Sequence, residues 1–245
     1  MQIYRVFRLI IVGLLSSLLA ACANELPPAL PTPTVAPRAV VVPITSVLAE
    51  PQRWSGQTIT VVAPTMVKND DRVLMSALAD SPVSSPGQAQ QMIWLAEPPP
   101  DAIRSQLTDG TGVLKVRGQL SPPGAYGREQ RFPYQISPES VEVLQPERTT
   151  LVNLVQNPRA LDRILLTVEG TLLAQQSSAL LVDKVSEGGV PVGLNQIKLP
   201  YATIDQALLD RLKRSGEVRW GAVHVIGWWQ DGTLTPFKIT LAESP

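Results

Sequence analysis

The side chains able to do chemistry are few, and their types exclude more than they offer. His224 is the only histidine and Cys22 the only cysteine, so a Ser-His-Asp arrangement has a single candidate base. That histidine lies in the β-rich run Val223-His224-Val225-Ile226, and no Gly-x-Ser-x-Gly turn occurs anywhere in the chain. One imidazole and one thiol make a zinc enzyme improbable. Asp70-Asp71 and Glu187-Gly188-Gly189 read as turns, and both the calcium-loop pattern and a phosphate-cradling glycine loop are absent. Hydrolysis by paired carboxylates would have to draw on residues such as Glu169, Asp183 and Glu187, two of them facing each other across a cleft. The expectation is a chain without catalysis, metal or cofactor. What remains is a set suited to contact: Trp94, Tyr126, Arg128, Trp220, His224 and Trp228, whose rings and cations can stack on or anchor a partner.

Cys22 belongs to a different chemistry. Arg5 and Arg8 precede an uncharged run from Leu9 to Leu18, and Leu19-Ala20-Ala21-Cys22 closes it. A charged start, a short apolar run and small residues make a secretory signal peptide over residues 1–21. The run is short for an uncleaved span of about 20 residues. Its end resembles the bacterial lipobox, in which the cysteine is acylated and becomes the new N-terminus. That resemblance implies a lipoprotein held to the cell membrane or outer envelope, on the extracytoplasmic side, through lipid on Cys22. Ala23, where enterobacterial lipoproteins retained at the inner membrane carry aspartate, implies transfer outward where an outer membrane exists.

With the leader removed, Arg5 and Arg8 leave and no acidic residue does, so the mature chain is slightly negative. No global positive field invites nucleic acid. Residues 22–44 form a linker in which Pro27–Pro43 holds six prolines and one charge, a composition that favours extended polyproline II and a spacer role. Once the cysteine is taken by lipid, no disulfide remains to the folded part, which must be stabilised by apolar burial.

That folded part reads as two copies of one unit, 45–146 and 147–245. Leu48-Ala49-Glu50-Pro51-Gln52-Arg53-Trp54 aligns without gaps on Val155-Gln156-Asn157-Pro158-Arg159-Ala160-Leu161, and Ile59–Ala63 then falls on Leu166–Gly170. Pro133–Ser137 is matched to Pro236–Thr240 near the ends. Strands are expected near 58–67, 73–79, 91–95, 113–120 and 132–144 in the first unit. The second repeats them near 164–173, 179–185, 196–199, 218–229 and 233–241. A helix separates the third and fourth strands in each, over Pro100–Leu107 and over the stripe Ile204, Leu208, Leu209, Leu212, with Lys213 and Arg214 late and Gly216 after its end. Three strands, a helix and two strands resemble the OB-fold. The expected fold is therefore mainly β, with two tandem five-stranded OB-like barrels, each with one short helix.

Alternation fixes which side chains leave the barrel. Leu114, Val116, Gly118 and Leu120 should face the first core, and matching Gly118 to Gly227 turns Val223, Val225 and Trp229 inward. Trp220, Ala222, His224, Ile226 and Trp228 then point outward. Such a row is either a stacking or docking face, or the contact between the barrels, and the short connection Gln145–Thr150 favours the contact. Trp94 should point outward between Ile93 and Leu95, on the usual ligand face of OB-folds. Tyr126 and Arg128, with Arg131, flank the same face. Trp54 and Leu161 are expected to plug the barrel bottoms. Together these features predict a non-catalytic protein-binding or scaffold module of the envelope, with a polysaccharide as the alternative ligand.

Overall fold

The computed structural model describes residues 40–68, 70–78, 89–201 and 204–242. The expected leader, Cys22 and most of the proline-rich linker lie outside these residues. Thirteen strands and five short helices are present among them, so the protein is mainly β, arranged in two sheets.

Each half opens with an element that composition hides. β1 (Val41–Pro43) pairs in parallel with β2 (Thr58–Lys68), and β7 (Glu147–Thr150) does the same with β8 (Ile164–Gln175). A helix follows each: α1 (Ile44–Ala49) and α2 (Pro51–Trp54) in the first half, α4 (Leu151–Gln156) in the second. Ile44 and Val47 are buried as Leu151 and Leu154 are, so the repeat starts earlier than Leu48 and Val155. Trp54 and Leu161 pack against the two cores as expected.

The first sheet returns on itself. β3 (Asp71–Met75), β4 (Met92–Leu95), β5 (Thr111–Leu120) and β6 (Gln135–Leu144) join β2 in the order β2-β3-β4-β6-β5, and β5 pairs back to β2. α3 (Asp101–Arg104) links β4 to β5, with Pro100 before it and Asp101 in its first turn. Inside lie Ile59, Val61, Leu74, Ile93, Leu95, Leu114, Val116, Leu120 and Ile136, the alternation read from the sequence.

In the second half β8, β9 (Ser178–Val182), β10 (Gln196–Leu199), β12 (Val218–Gln230) and β13 (Thr233–Leu241) repeat the plan. α5 (Gln206–Arg211) is capped by the Asp205 carboxylate, which accepts the Ala207 amide at 2.9 Å. This helix ends earlier than the apolar stripe suggests. Lys213 and Arg214 belong to β11 (Lys213–Ser215), an edge strand on β12, and Gly216 at φ 60° forms the turn between them.

One feature of register corrects the alignment of the last strands. β6 bulges at Glu139, leaving Gly118 of β5 opposite Pro138, and β13 bulges at Phe237, leaving Gly227 of β12 opposite Pro236. A Cβ at Gly118 would stand 2.2 Å from the Ser137 carbonyl oxygen, and one at Gly227 2.7 Å from that of Thr235. Glycine is required at both places by the same bulge, so Pro138 and not Pro133 is the counterpart of Pro236. Gln135, Ile136 and Tyr134 therefore correspond to Thr233, Leu234 and Gly232.

The halves meet face to face within one compact unit. Val62 and Val113 of the first half and Leu165, Trp228 and Phe237 of the second form one buried cluster, with Leu78, Leu144 and Ile226 at its margin. The Leu78 amide donates to the Phe237 carbonyl at 2.8 Å.

Candidate functional site

Trp94 points away from the barrel core, as alternation demands, but it is only 5% exposed. The long β5–β6 connection folds over it: Phe132 stacks on the indole at 5.1 Å, and the Arg72 guanidinium lies 4.7 Å above the ring. A Cβ at Gly127, whose φ is +68°, would come within 2.5 Å of the indole, so the loop presses directly on it. The expectation of an exposed anchor is corrected, because the chain supplies its own cover.

Tyr126 and Arg128 belong to that cover. Tyr126 packs beside Met92 on the Trp94 cluster and donates its hydroxyl hydrogen to the Pro122 carbonyl at 2.7 Å. Arg128 is 3.7 Å from Glu129, which also holds Arg131 at 3.4 Å, and Arg131 reaches Asp71 at 3.8 Å. The basic and aromatic cluster is thus neutralised within itself.

The outward row of β12 is divided among three environments. Trp228, 3% exposed, and Ile226 enter the contact between the halves, and the Trp228 indole N–H donates to the Gln230 side chain at 2.9 Å. His224 is half-buried, with Nδ1 3.6 Å from the Glu169 carboxylate across the β8–β12 ladder. Trp220 is 8% exposed and lies under Gly189, where a Cβ would approach the indole to 2.6 Å. The row is not a free stacking platform. The preferred reading, a contact between barrels, holds at its Trp228 end.

The arm that covers Trp220 is itself a built element. Lys184 and Val192 are joined by a backbone bond of 3.1 Å, Ser186 and Val190 by one of 2.8 Å, and Val185 bridges Pro191. Asp183 staples its base, accepting from the Lys184 amide at 3.0 Å and from the Asn195 side-chain amide at 2.9 Å. Asp183 therefore has a structural task, and Glu169 stands exposed beside His224. Val190, Val192 and Leu194 alternate along the arm and are exposed, Leu194 at 98%.

After this arm the chain enters β10, which borders a groove of about 530 Å³ lined by Leu154, Val155, Pro158, Trp229, residues 196–200, Gly232 and Thr233. α4 forms one wall, and β10 with the start of β13 forms the other. Its walls are chiefly apolar, and Val155 on its rim is 37% exposed. The Trp229 indole N–H donates to the Pro158 carbonyl at 2.9 Å, which fixes ring and loop together.

The groove sits where β10 and β13 run side by side without a ladder between them. In the first half β4 and β6 are paired in parallel, the Trp94 amide donating to the Tyr134 carbonyl at 3.0 Å and the Ala96 amide to the Ile136 carbonyl at 2.9 Å. In the second half β10 pairs with β9 and has no ladder to β13. Pro200 stands where Ala96 stands and has no N–H to give. Gly232 stands where Tyr134 stands, in a two-residue turn with Asp231 at φ 50° and Gly232 at φ 77°. Sequence reading missed this site, although Pro200 and Asp231-Gly232 would have signalled it in the register set by the bulges.

Among the described residues no group of three or more His, Cys, Asp or Glu side chains is placed to hold a metal ion, and no helix is long and apolar enough to cross a membrane. Comparison with protein-family models, with curated proteins and with solved structures yields no match to this chain.

Proposed function

We propose that this chain is a lipid-anchored, extracytoplasmic protein-binding module without catalytic activity, built from two OB-like barrels fused into one head. The closed strand order of the first sheet, with β4 and β6 parallel, supports the OB-like reading of the first half, and the recurrence of its elements extends that reading to the second. The observation that carries the binding role is the apolar groove between α4, β10 and the start of β13, in a half that also leaves Val190, Val192 and Leu194 exposed. Large apolar side chains left in water beside a concave surface are what a protein partner covers. A polysaccharide face draws less support, since Trp94, Trp220, Trp228 and Trp229 are all buried. The Pro-rich linker, fully extended at about 3.1 Å per residue, would let the head reach partners well above the lipid surface.

The test is a photo-crosslinking amino acid placed at Val155 in the full-length chain in its own envelope, with Ala222 as the comparison site. Crosslinking to one envelope protein from Val155, and none from Ala222, is the expected result. Equal products from both sites, or none from Val155, would contradict the groove as the binding surface. In the same cells Cys22→Ser should move the chain from the membrane fraction to the soluble one.

A further inference from the structure

We infer that the partner of the groove is a second copy of this chain, whose arm between β9 and β10 lays Val190, Val192 and Leu194 across it. This rests on the reading of the chain as a protein-binding module and names the partner. The arm sorts its side chains by face. Val185 bridges Pro191, so Lys184 stands opposite Val192 and Ser186 opposite Val190. These four share one face, and Leu194 continues it. The other face is the one that is held: Val185 is half-buried, Gly189 rests on the Trp220 indole, and Gly193 backs onto the Asp183 carboxylate. The outer face is left to water, with Val190 62%, Val192 67% and Leu194 98% exposed. Among the described residues only Val40, Val152 and Val155 are other large apolar side chains so exposed. A row of three aliphatic side chains on a braced hairpin is a surface built for contact.

The chain therefore carries both an apolar projection and an apolar recess. None of residues 183–195 lines the groove, so the arm does not fill the recess of its own chain. The row from Val190 to Leu194 is about 13 Å long at strand spacing, and it meets the groove through side chains alone. No new strand is added to β10 or β13. Charge sets the orientation. The arm bears Lys184 beside Val192 and Glu187 at its tip, while the groove bears Lys198 on the β10 wall and Asp231, just before Gly232, on the other. All four are exposed, and none has an ion pair within its own chain. One seating of the arm sets Glu187 toward Lys198 and Lys184 toward Asp231; the reverse seating opposes like charges and is disfavoured. Because projection and recess are different surfaces, each pairing leaves one of each free, and copies join head to tail. Anchoring by lipid would confine the copies to one plane and raise their effective concentration.

The test disables the two surfaces separately in the full-length chain and follows sedimentation in detergent. Leu194→Glu spoils the arm at a fully solvated position, and Val155→Arg spoils the groove from the exposed rim of α4. The wild-type chain should associate with itself, and each variant alone should do so about tenfold or more weakly. An equimolar mixture of the two variants should associate again but stop at dimers, since only the arm of the Val155→Arg chain and the groove of the Leu194→Glu chain still match. Denaturant unfolding checks that both variants are folded; should Val155→Arg not be, Lys198→Glu, on the solvent side of β10, takes its place. A wild-type chain that stays monomeric, association that survives either variant, or a mixture that fails to pair would overturn the inference. Contact between two arms is detected as well, because it would be lost in Leu194→Glu, kept in Val155→Arg and not restored by mixing. If Val155 then still crosslinks to a different envelope protein, the protein-binding reading stands and only the second copy is lost. If it crosslinks to none, both fall.

Discussion

Trp94 shows what a single residue can and cannot disclose. Its direction follows from period-two alternation, so the sequence was sufficient to set it opposite Ile93 and Leu95. Its cover comes from Phe132 and Gly127, far along the chain, and no local pattern encodes that. The same holds for Trp220 beneath the arm at Gly189 and for Trp228 against Val62 and Val113. Burial predicts a cost for truncation: Trp94→Ala should lower stability by about 3–5 kcal/mol, as removal of a packed indole does. Denaturant unfolding would measure this, and binding at the groove should be unchanged, because Trp94 belongs to the other half. At the surface, Asp210 accepts hydrogen bonds from Arg219 and Gln206 at 2.8 Å each, and these hold its carboxyl below the usual carboxylate range.

At the scale of elements the repeat was legible because burial must recur wherever the same barrel recurs. Strands β10 and β13 fall on their expected limits, whereas α5 keeps Leu208 and Leu209 of the apolar stripe and leaves Ile204 and Leu212 outside its ends. Three things escaped. The lead strands β1 and β7 are three and four residues long, too short for alternation to register. Lys213 and Arg214 look like the basic end of a helix, yet pairing to β12 through a Gly216 turn competes successfully for them. The third is the bulge, which shifts the match of the last strands. A proline opposite a glycine is legible only when strand pairing is known. That shift matters beyond bookkeeping, for it is what places Gly232 on Tyr134 and Pro200 on Ala96. Two small sequence differences, a donor removed and a long connection replaced by a tight turn, take away the ladder that joins the equivalent strands of the first half.

The whole molecule is two halves with unequal tasks, fused by the Trp228 cluster. The first half spends its long connection on covering Trp94 and closing its sheet. The second carries the groove and leaves Val190, Val192 and Leu194 of its arm exposed. If the shared cluster makes the halves one cooperative unit, Trp228→Ala should lower overall stability by about 3–5 kcal/mol and split a single calorimetric transition into two. A single transition with little loss of stability would show the halves to be independent. The central claim, that backbone bonds join the seam of the first half and none join that of the second, is tested most directly by native-state amide exchange on the intact chain at the equivalent positions Trp94 and Lys198. The Trp94 amide, bonded to Tyr134, should exchange about a hundredfold more slowly or more than the Lys198 amide, which faces the groove. Equal protection at the two positions would mean that the second seam is bonded as the first is, and would contradict the account.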